Sequence, residues 1–312
     1  MKFIRYPQNS SLLKPSVVTI GNFDGIHIGH QTLIGKITGY ATANCLQSIV
    51  VSMQPLASQY FAGKNMVAIL TPFKCKYKLI KALNVDVFCV LNFNQALSEF
   101  SPEDFIQKIL LKGLQAKHII VGDDFKFGKN RAGDFEYLKR YCQAIGVSVT
   151  NIATVSKNMT RVSSSTIRND LTLGHFGKVK SYLGRSYSIA GKVSKGQQLG
   201  RTLDFPTINI KLGNRVLILH GVFCVKVVFS NGDTHLGAAS IGTRPTVNGT
   251  TNILEVHILD FNKQVYGQNV EVFFYHKLRN EVKFDSIDEL KRHINKDVIK
   301  TRLYFKKLIN NK

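Results

Sequence analysis

The pattern of apolar residues changes near residue 183, and this change restricts the possible folds more than any other feature of the chain. From residue 17 to about 170, short β-branched runs alternate with amphipathic stretches, which is the pattern of βαβ units around a parallel sheet. Beyond about residue 183, short strands are separated by glycines and by turns such as Ser-Asn-Gly-Asp at 230–233, as in a small antiparallel barrel. At 312 residues the chain also exceeds the usual size of one core. We therefore predict an α/β chain with two domains, residues 1–182 and 183–312.

The same pattern predicts the individual elements. The first domain is expected to be a doubly wound, Rossmann-like parallel sheet with strands at 17–20, 48–51, 85–90, 118–121 and 147–155. Its helices are expected at 30–44, 72–83, from Ser101 onward and at 134–145. The second domain is expected to be a small antiparallel β-barrel with strands at 187–193, 221–229, 235–241, 252–259 and 269–275, followed by a terminal helix at 287–308.

A formal charge of +22 makes nucleic-acid binding a possible role. The excess is +12 over residues 1–182 and +10 over residues 183–312, so it is spread along the chain. A general lysine-rich composition, or weak steering of anionic nucleotides, explains this spread equally well. We expect no nucleic-acid partner, and a basic nucleic-acid-binding protein is kept as the alternative from another functional class.

The sequence also indicates a compartment. The first residues contain no long apolar segment, and no later run approaches the roughly 18 apolar residues of a membrane span. The five cysteines are widely spaced and form no C-x-x-C pair, which favours neither disulfides nor a thiolate zinc site. We expect a cytoplasmic protein without a membrane partner, and the sequence does not define its oligomeric state.

The first motif with clear chemistry is T-I-G-N-F-D-G-I-H-I-G-H at residues 19–30. A strand that enters a glycine-rich turn and then a helix presents backbone N–H groups and the helix dipole to a phosphate. His27 and His30 fall on one face of the helix start, and Gly29 between them allows an anion to approach the backbone. A metal pair is one alternative, although a third ligand is not obvious nearby. An incidental pair of surface histidines is another.

Two further segments are expected to lie at the carboxyl ends of strands. One is G-D-D-F-K-F-G at 122–128, which contains Asp123 and Asp124. The other is R-V-S-S-S-T-I-R at 161–168, in which Ser164 and Arg168 supply a hydroxyl and a guanidinium at a helix start. An ordinary serine N-cap is the alternative explanation for the second segment.

The second domain begins with G-K-V-S-K-G-Q-Q-L-G-R at 191–201, a glycine-rich loop whose amides could surround phosphates. The segment F-P-T-I-N at 205–209 follows. Thr207 and Asn209 lie two apart on an extended segment and therefore point to the same side. An Mg²⁺ ion held mainly by ATP phosphates and water would suit this pair.

A third segment, L-E-V-H-I-L-D-F at 254–261, alternates apolar and polar residues. Leu254, Val256 and Ile258 are expected to face a core, which places Glu255 on the opposite face. Glu255 could accept a proton from a substrate hydroxyl. A solvent-facing strand acid is the alternative.

Taken together, the first three motifs resemble the FAD synthetase half of the bacterial bifunctional riboflavin kinase/FAD synthetase family, a branch of the nucleotidyltransferase superfamily. The later motifs, with I-G-T-R-P-T-V at 241–247, resemble the riboflavin kinase domain of that family. The resemblance implies phosphorylation of riboflavin to FMN by the second domain and adenylyl transfer from ATP to FMN by the first. ATP, riboflavin and FMN are the implied substrates, and Mg²⁺ is the implied metal.

The resemblance also implies residue roles. His27, His30 and Arg168 are expected to contact phosphates, Asn22 and Asp24 to line the nucleotide pocket, and Asp123 and Asp124 to order the flavin or a metal. Thr207 and Asn209 are expected at the metal and phosphates, with Glu255 as the base. The other residues expected to bind nucleotide or flavin are Gly21, Gly29, Ser164, Gly191, Lys192, Gly196, Gly200 and Phe205.

The chain departs from the family pattern at two places. Residues 53–57 read M-Q-P-L-A where the family usually has F-E-P-H-P, so a kinase with a weakened or lapsed adenylyltransferase domain is the alternative within enzymes. Asp204 and Ile208 stand where the family prefers glycine and alanine. The larger side chains, and the negative charge of Asp204, are expected to affect ATP binding.

Overall fold

The computed structural model describes residues 1–6, 14–63, 67–157, 159–196, 204–213, 216–246 and 249–310. The chain divides into two compact units, Met1–Ser164 and Ser165–Lys312. Among the helices that these residues form, none combines the length and apolar character needed to span a lipid bilayer.

The first unit is built on a six-stranded sheet in which every pair of neighbours is parallel. Its strands are β1 (Lys2–Tyr6), β2 (Ser16–Ile20), β3 (Gln47–Gln54), β4 (Val87–Asn92), β5 (Ala116–Gly122) and β6 (Ser148–Ile152). Their order across the sheet is β1-β4-β3-β2-β5-β6. The direction of winding reverses between β2 and β5, and such a reversal opens a crevice for ligands at the carboxyl ends of the strands.

Helices cover both faces of this sheet. They are α1 (Ile28–Ala43), α2 (Ala57–Phe61), α3 (Phe73–Lys81), α4 (Gln95–Ser98), α5 (Pro102–Asp104, continued by a π-helix at Phe105–Gly113) and α6 (Phe135–Gln143). Apolar residues of α1 and α3 pack against one face, as with Ile34 and Ile80, and those of α5 and α6 pack against the other, as with Ile106 and Leu138. A short hairpin of β7 (Ser156–Lys157) and β8 (Thr160–Arg161) follows β6.

The second unit contains a closed, antiparallel, six-stranded barrel. Its strands are β9 (Ser188–Ser194), β10 (Thr207–Gly213), β11 (Gly221–Phe229), β12 (Thr234–Thr246), β13 (Gly249–Ile258) and β14 (Asn269–Arg279). Its helices are α7 (Ser164–Leu173), α8 (Phe176–Leu183) and α9 (Ile287–Asn310). Phe176 of α8 packs against Phe223 and Phe274 of the barrel, which explains why residues 165–183 cluster with this unit. Arg279 and Asp297 form a partly buried ion pair, with an N–O distance of 2.8 Å, that connects α9 to the barrel.

The predicted fold class is confirmed. The structure adds β1, which extends the sheet beside β4, and β10, which completes the barrel between β9 and β13. The predicted strand at 147–155 ends at Ile152. The domain boundary at 182/183 stays a prediction.

Candidate active sites

The turn after β2 forms the first candidate site. Phe23 and Ile26 adopt left-handed backbone conformations, with φ of 44° and 43°, although neither is glycine. Both side chains are buried, and this packing holds the unfavourable conformations in place. A Cβ atom at Gly21 would lie 3.2 Å from the Phe23 ring, a tight contact that glycine avoids. Strained turns of this kind concentrate at ligand-binding sites.

His27 and His30 are stacked, with ring centroids 3.6 Å apart and an angle of 18° between the planes. His27 is the N-cap of α1, because its Nδ1 atom accepts a hydrogen bond from the backbone N–H of His30 at 3.3 Å. A Cβ atom at Gly29 would lie 3.2 Å from the His27 ring, so glycine leaves room for the cap. The predicted pairing of the two imidazoles at the helix start is confirmed.

The His30 side chain has a buried ring nitrogen that could bind a ligand. Its Nδ1 atom is buried and has no hydrogen-bond partner among the described residues, and a buried polar atom of this kind normally has one. Burial, with smaller contributions from His27 and Lys76, lowers the pKa of His30 well below its ordinary value. The imidazole is therefore neutral near pH 7 and carries one N–H that can donate to an anion.

The Asp24 side chain stabilises this turn through hydrogen bonds to the backbone. Its carboxylate accepts backbone hydrogen bonds from Leu70 at 3.1 Å and Thr71 at 3.0 Å, and the N–H of Gly25 donates to the Thr71 hydroxyl. The hydroxyl of Ser164 donates to the Asp24 carbonyl at 2.8 Å. The structure thus places Asp24 and Ser164 together, in contacts that fix the shape of the turn.

Lys76 is a residue of this site that the sequence analysis did not identify. It is 3% exposed, and its ammonium donates to the carbonyl of Asn22 at 2.6 Å. Lys74 and Lys78 on the same helix are exposed, and the local sequence does not distinguish Lys76 from these neighbouring lysines. Helical periodicity was the available signal, since Lys76 falls on the face of α3 that carries the buried Ile80.

Asp123 and Asp124 lie after β5 and are engaged in local contacts. The Asp123 carboxylate accepts hydrogen bonds from the Thr154 hydroxyl and N–H, which lower its pKa. Asp124 forms an ion pair with Arg161 of β8 at 2.8 Å. Both carboxylates stand beside the switch point of the sheet, and their role with a flavin or metal stays a prediction.

An aromatic cluster lies at the carboxyl ends of β3 and β4. Tyr60, Phe61 and Phe93 contact one another edge to face at 5.2–5.7 Å between ring centroids. Phe61 is 68% exposed and Tyr60 is 41% exposed, whereas Phe93 is buried. In the segment that departs from the family pattern, Leu56 is buried and offers no polar group.

The second candidate site is on the barrel. Its clearest feature is the buried side-chain amide of Asn209, which could bind a ligand. The residue is 4% exposed, and its Oδ1 atom is buried without a hydrogen-bond partner among the described residues. A Cβ atom at Gly196 would lie 2.6 Å from the Asn209 amide, so only glycine lets the backbone pack there. Thr207 lies two residues earlier on β10, on the same face.

Glu255 lies in the middle of a polar row that crosses three strands. In the barrel register it is directly opposite Asn209 of β10 on one side and Ser240 of β12 on the other. Residues directly opposite one another share a face and have Cβ atoms about 4.5–5.5 Å apart. Leu254 and Val256 on either side are completely buried, which confirms that Glu255 faces away from the barrel core.

The two unusual residues near this site are accommodated. Asp204 has a left-handed φ of 65°, which explains why glycine would be preferred at this position. Its carboxylate pairs with Lys291 of α9 at 2.6 Å, so its charge is offset. Ile208 is 8% exposed and points into the barrel core rather than toward the polar row. Ile208 therefore does not share the face that carries Asn209 and Glu255.

The remaining predicted residues are distributed as follows. Gly191 lies on β9, where a Cβ atom would be 2.3 Å from Ile210. Lys192 is exposed beside it, and Phe205 contacts His257 edge to face at 5.4 Å. Gly200 lies outside the described residues, and Arg168 is on α7. Among the described residues, no group of three or more His, Cys, Asp or Glu is placed to hold a metal ion.

Comparisons with known proteins match both parts of the chain. A family model described as FAD synthetase matches residues 9–166, and one described as riboflavin kinase matches residues 183–305. A bifunctional riboflavin kinase/FMN adenylyltransferase from Haemophilus influenzae is 39% identical, over 98% of this chain and 99% of the relative. The protein of that name from Escherichia coli K12 is 36% identical, over 98% of each. A crystal structure from Streptococcus pneumoniae, titled a macrolide-efflux protein, has a TM-score of 0.80 at 27% identity and covers 97% of this chain and 99% of that one.

Proposed function

This chain belongs to the bifunctional riboflavin kinase/FMN adenylyltransferase family, and on that premise we propose that its two reactions take place at the two sites described above. The chain is an enzyme that phosphorylates riboflavin to FMN and transfers AMP from ATP to FMN. Adenylyl transfer is assigned to residues 1–182 and riboflavin phosphorylation to residues 183–312. The proposal includes a cytoplasmic location, where ATP is available, and no nucleic-acid partner.

The stacked histidines at the start of α1 carry the assignment of adenylyl transfer. In this reaction an FMN phosphate oxygen bonds to the α-phosphorus of ATP, the bond from that phosphorus to the bridging oxygen breaks, and pyrophosphate leaves. The phosphate nucleophile is already ionised near neutral pH, so the site needs no general base. His27, His30 and the N-terminus of α1 would instead donate hydrogen bonds to the phosphate oxygens of the triphosphate. Asn22 and Asp24 would shape the nucleotide pocket.

The aromatic cluster suggests where the flavin ring binds in this step. Tyr60 and Phe61 are exposed at the same edge of the sheet as the histidines. Exposed aromatic faces stack well on a planar ring system such as isoalloxazine. Asp123 and Asp124, at the carboxyl end of β5, would border the flavin or order a metal.

The polar row on the barrel supports the assignment of riboflavin phosphorylation. Glu255 would take the proton of the ribityl 5′-hydroxyl while the oxygen bonds to the γ-phosphorus and ADP leaves. The Oδ1 atom of Asn209, which is buried without a hydrogen-bond partner in the described part of the chain, and the hydroxyl of Thr207 fit an Mg²⁺ ion. Water and phosphate oxygens would be the other ligands of this ion. When bound, the ion supplies positive charge to the phosphates. The amides of Gly191 and Gly196, with Lys192 and Phe205, would surround the nucleotide.

A single chromatographic assay tests both activities. The purified protein is incubated with riboflavin, ATP and magnesium, and separately with FMN, ATP and magnesium, and FMN, FAD and pyrophosphate are quantified. We expect FMN and then FAD from the first mixture and FAD from the second. FMN without FAD or pyrophosphate above background would support a kinase whose adenylyltransferase site has lapsed, the alternative that residues 53–57 suggest.

The metal assignment makes a separate prediction. Asn209→Ala removes the buried amide oxygen, so we expect the Mg²⁺ concentration that half-saturates riboflavin phosphorylation to rise about tenfold or more. FAD formation from supplied FMN should not change. Thr234→Ala is a matched control, because this exposed hydroxyl at the start of β12 donates to the nearby Gly232 carbonyl. An unchanged Mg²⁺ requirement in the Asn209 variant would remove Asn209 from the metal site.

A further inference from the structure

Lys76 is a buried cation at the ligand-binding edge of the parallel sheet. The side chains of Lys74 and Lys78 on the same helix are exposed, whereas Lys76 is 3% exposed and lies on the inner face of α3. Burying an ammonium costs several kcal/mol after relaxation of the surroundings. An apolar side chain of similar length would fill the same space without this cost, so the charge itself needs an explanation.

The contacts of Lys76 connect the ends of two strands. Its Nζ atom donates to the Asn22 carbonyl at 2.6 Å and to the Ser52 hydroxyl at 3.3 Å. The Ser52 hydroxyl in turn donates to the same Asn22 carbonyl at 3.3 Å. Asn22 belongs to the turn after β2, and Ser52 lies near the end of β3. One ammonium therefore fixes the turn that leads into the phosphate-binding start of α1.

The charges around Lys76 are also those of the phosphate site. Asp24 favours the charged form of Lys76, while burial has the larger effect and lowers its pKa to about 8. Lys76 and His27 both contribute to the lowered pKa of His30. The ammonium of Lys76 and the two imidazoles therefore lie close together. Most Lys76 side chains are charged at pH 7, and a triphosphate arriving at this edge would meet a cation already in place.

We propose that Lys76 is a positioning residue for adenylyl transfer: its ammonium fixes the Asn22 turn and adds positive charge behind the place where the ATP phosphates reach His27 and His30. This inference rests on the proposed assignment of adenylyl transfer to the first unit. Lys76 acts by fixing the turn and by its positive charge. This role requires no direct contact between Lys76 and a substrate.

The test compares Lys76→Met, which keeps length and removes charge, with Lys76→Arg, which keeps charge. Lys74→Met and Lys78→Met are the matched controls on the exposed face of α3. FAD formation from FMN is measured with ATP and FMN varied separately, and riboflavin phosphorylation by the same preparations reports on the other unit. We expect Lys76→Met to lower kcat/KM for ATP about 100-fold, Lys76→Arg to restore a substantial part of it, and the controls and the kinase reaction to match the unaltered protein.

The pH profile provides a readout that a purely structural lysine would not move. In the unaltered protein, kcat/KM for ATP should fall above about pH 8, as the free ammonium loses its proton. This alkaline limb should be absent in Lys76→Arg, because guanidinium stays charged. The other titratable groups around Lys76 and His30 are Asp24 and His27.

Two results would overturn the inference. One is FAD formation by Lys76→Met within about twofold of the unaltered protein. The other is a wild-type profile that stays flat to about pH 9.5 and coincides with that of Lys76→Arg. If the unaltered protein made no FAD at all, the assignment of adenylyl transfer would fail instead, so the two failures are distinguishable.

Discussion

Replacement of Glu255 by glutamine is expected to lower the rate of riboflavin phosphorylation by about 100- to 10,000-fold, the usual contribution of a general base. Glutamine keeps the size of the side chain and the packing of the strand, but its amide cannot take a proton from the ribityl hydroxyl. The structure places Glu255 between Asn209 and Ser240 on the outer face of the barrel. The proposed base and the proposed metal ligand are therefore directly opposite each other on adjacent strands.

The other reaction of the chain is the internal control for this variant. With FMN supplied directly, Glu255→Gln should form FAD at the rate of the unaltered protein, because the two sites lie in different units. Glu271→Gln is a matched control on β14, where the carboxylate accepts a hydrogen bond from Ser188 at 2.6 Å. Riboflavin turnover by Glu255→Gln equal to that of Glu271→Gln would mean that Glu255 is an ordinary strand acid.

Much of the fold could be predicted because each buried strand of the sheet is a short apolar run. β2, β3 and β4 have nearly continuous buried residues, as expected for strands covered by helices on both faces. β1 was missed because it contains Lys2 and Arg5, which are exposed at the sheet edge, and because only its middle residue Ile4 is buried. Edge strands carry weak patterns for this reason.

β10 was missed for a different reason. Its residues were recognised only as an extended segment with Thr207 and Asn209 on one side. The alternation is visible in hindsight, since Ile208, Ile210 and Leu212 are all buried. The buried polar Asn209 interrupts the alternation, and it does so at the residue proposed to bind the metal.

The site could be predicted where chemistry follows local sequence, and not where it depends on the assembly of distant segments. His27 and His30 are close because they lie on one helical turn. Lys76 contacts Asn22 across 54 positions, and no local pattern predicts such a contact. The exposure of Phe61 likewise depends on how α2 packs. The partner of Asp204, Lys291, also lies 87 positions away, and the effect of Asp204 on ATP binding stays a prediction.

The second large effect is expected at the paired imidazoles. His27→Asn should lower kcat/KM for ATP in FAD formation by about 100- to 1,000-fold, the usual loss when one preorganised donor to a developing or fixed charge is removed. Asparagine is chosen because it is a preferred N-cap. It can still accept the hydrogen bond from the His30 N–H, so the helix start should persist without the imidazole.

The comparison of three variants then separates the loss of the imidazole donor from the loss of the helix cap. His27→Ala removes both the imidazole and the cap, and should lose about 1 kcal/mol more stability than His27→Asn. His30→Gln removes the buried ring whose Nδ1 atom has no partner among the described residues. Because the stacked rings would serve the same phosphates, the double variant His27→Asn/His30→Gln should lose less than the product of the two single losses. Riboflavin phosphorylation should be unchanged throughout, so FMN should accumulate. The contrary result is normal FAD formation by a His27→Asn variant that retains its thermal stability. It would show that His27 is only a helix cap and that other groups bind the triphosphate.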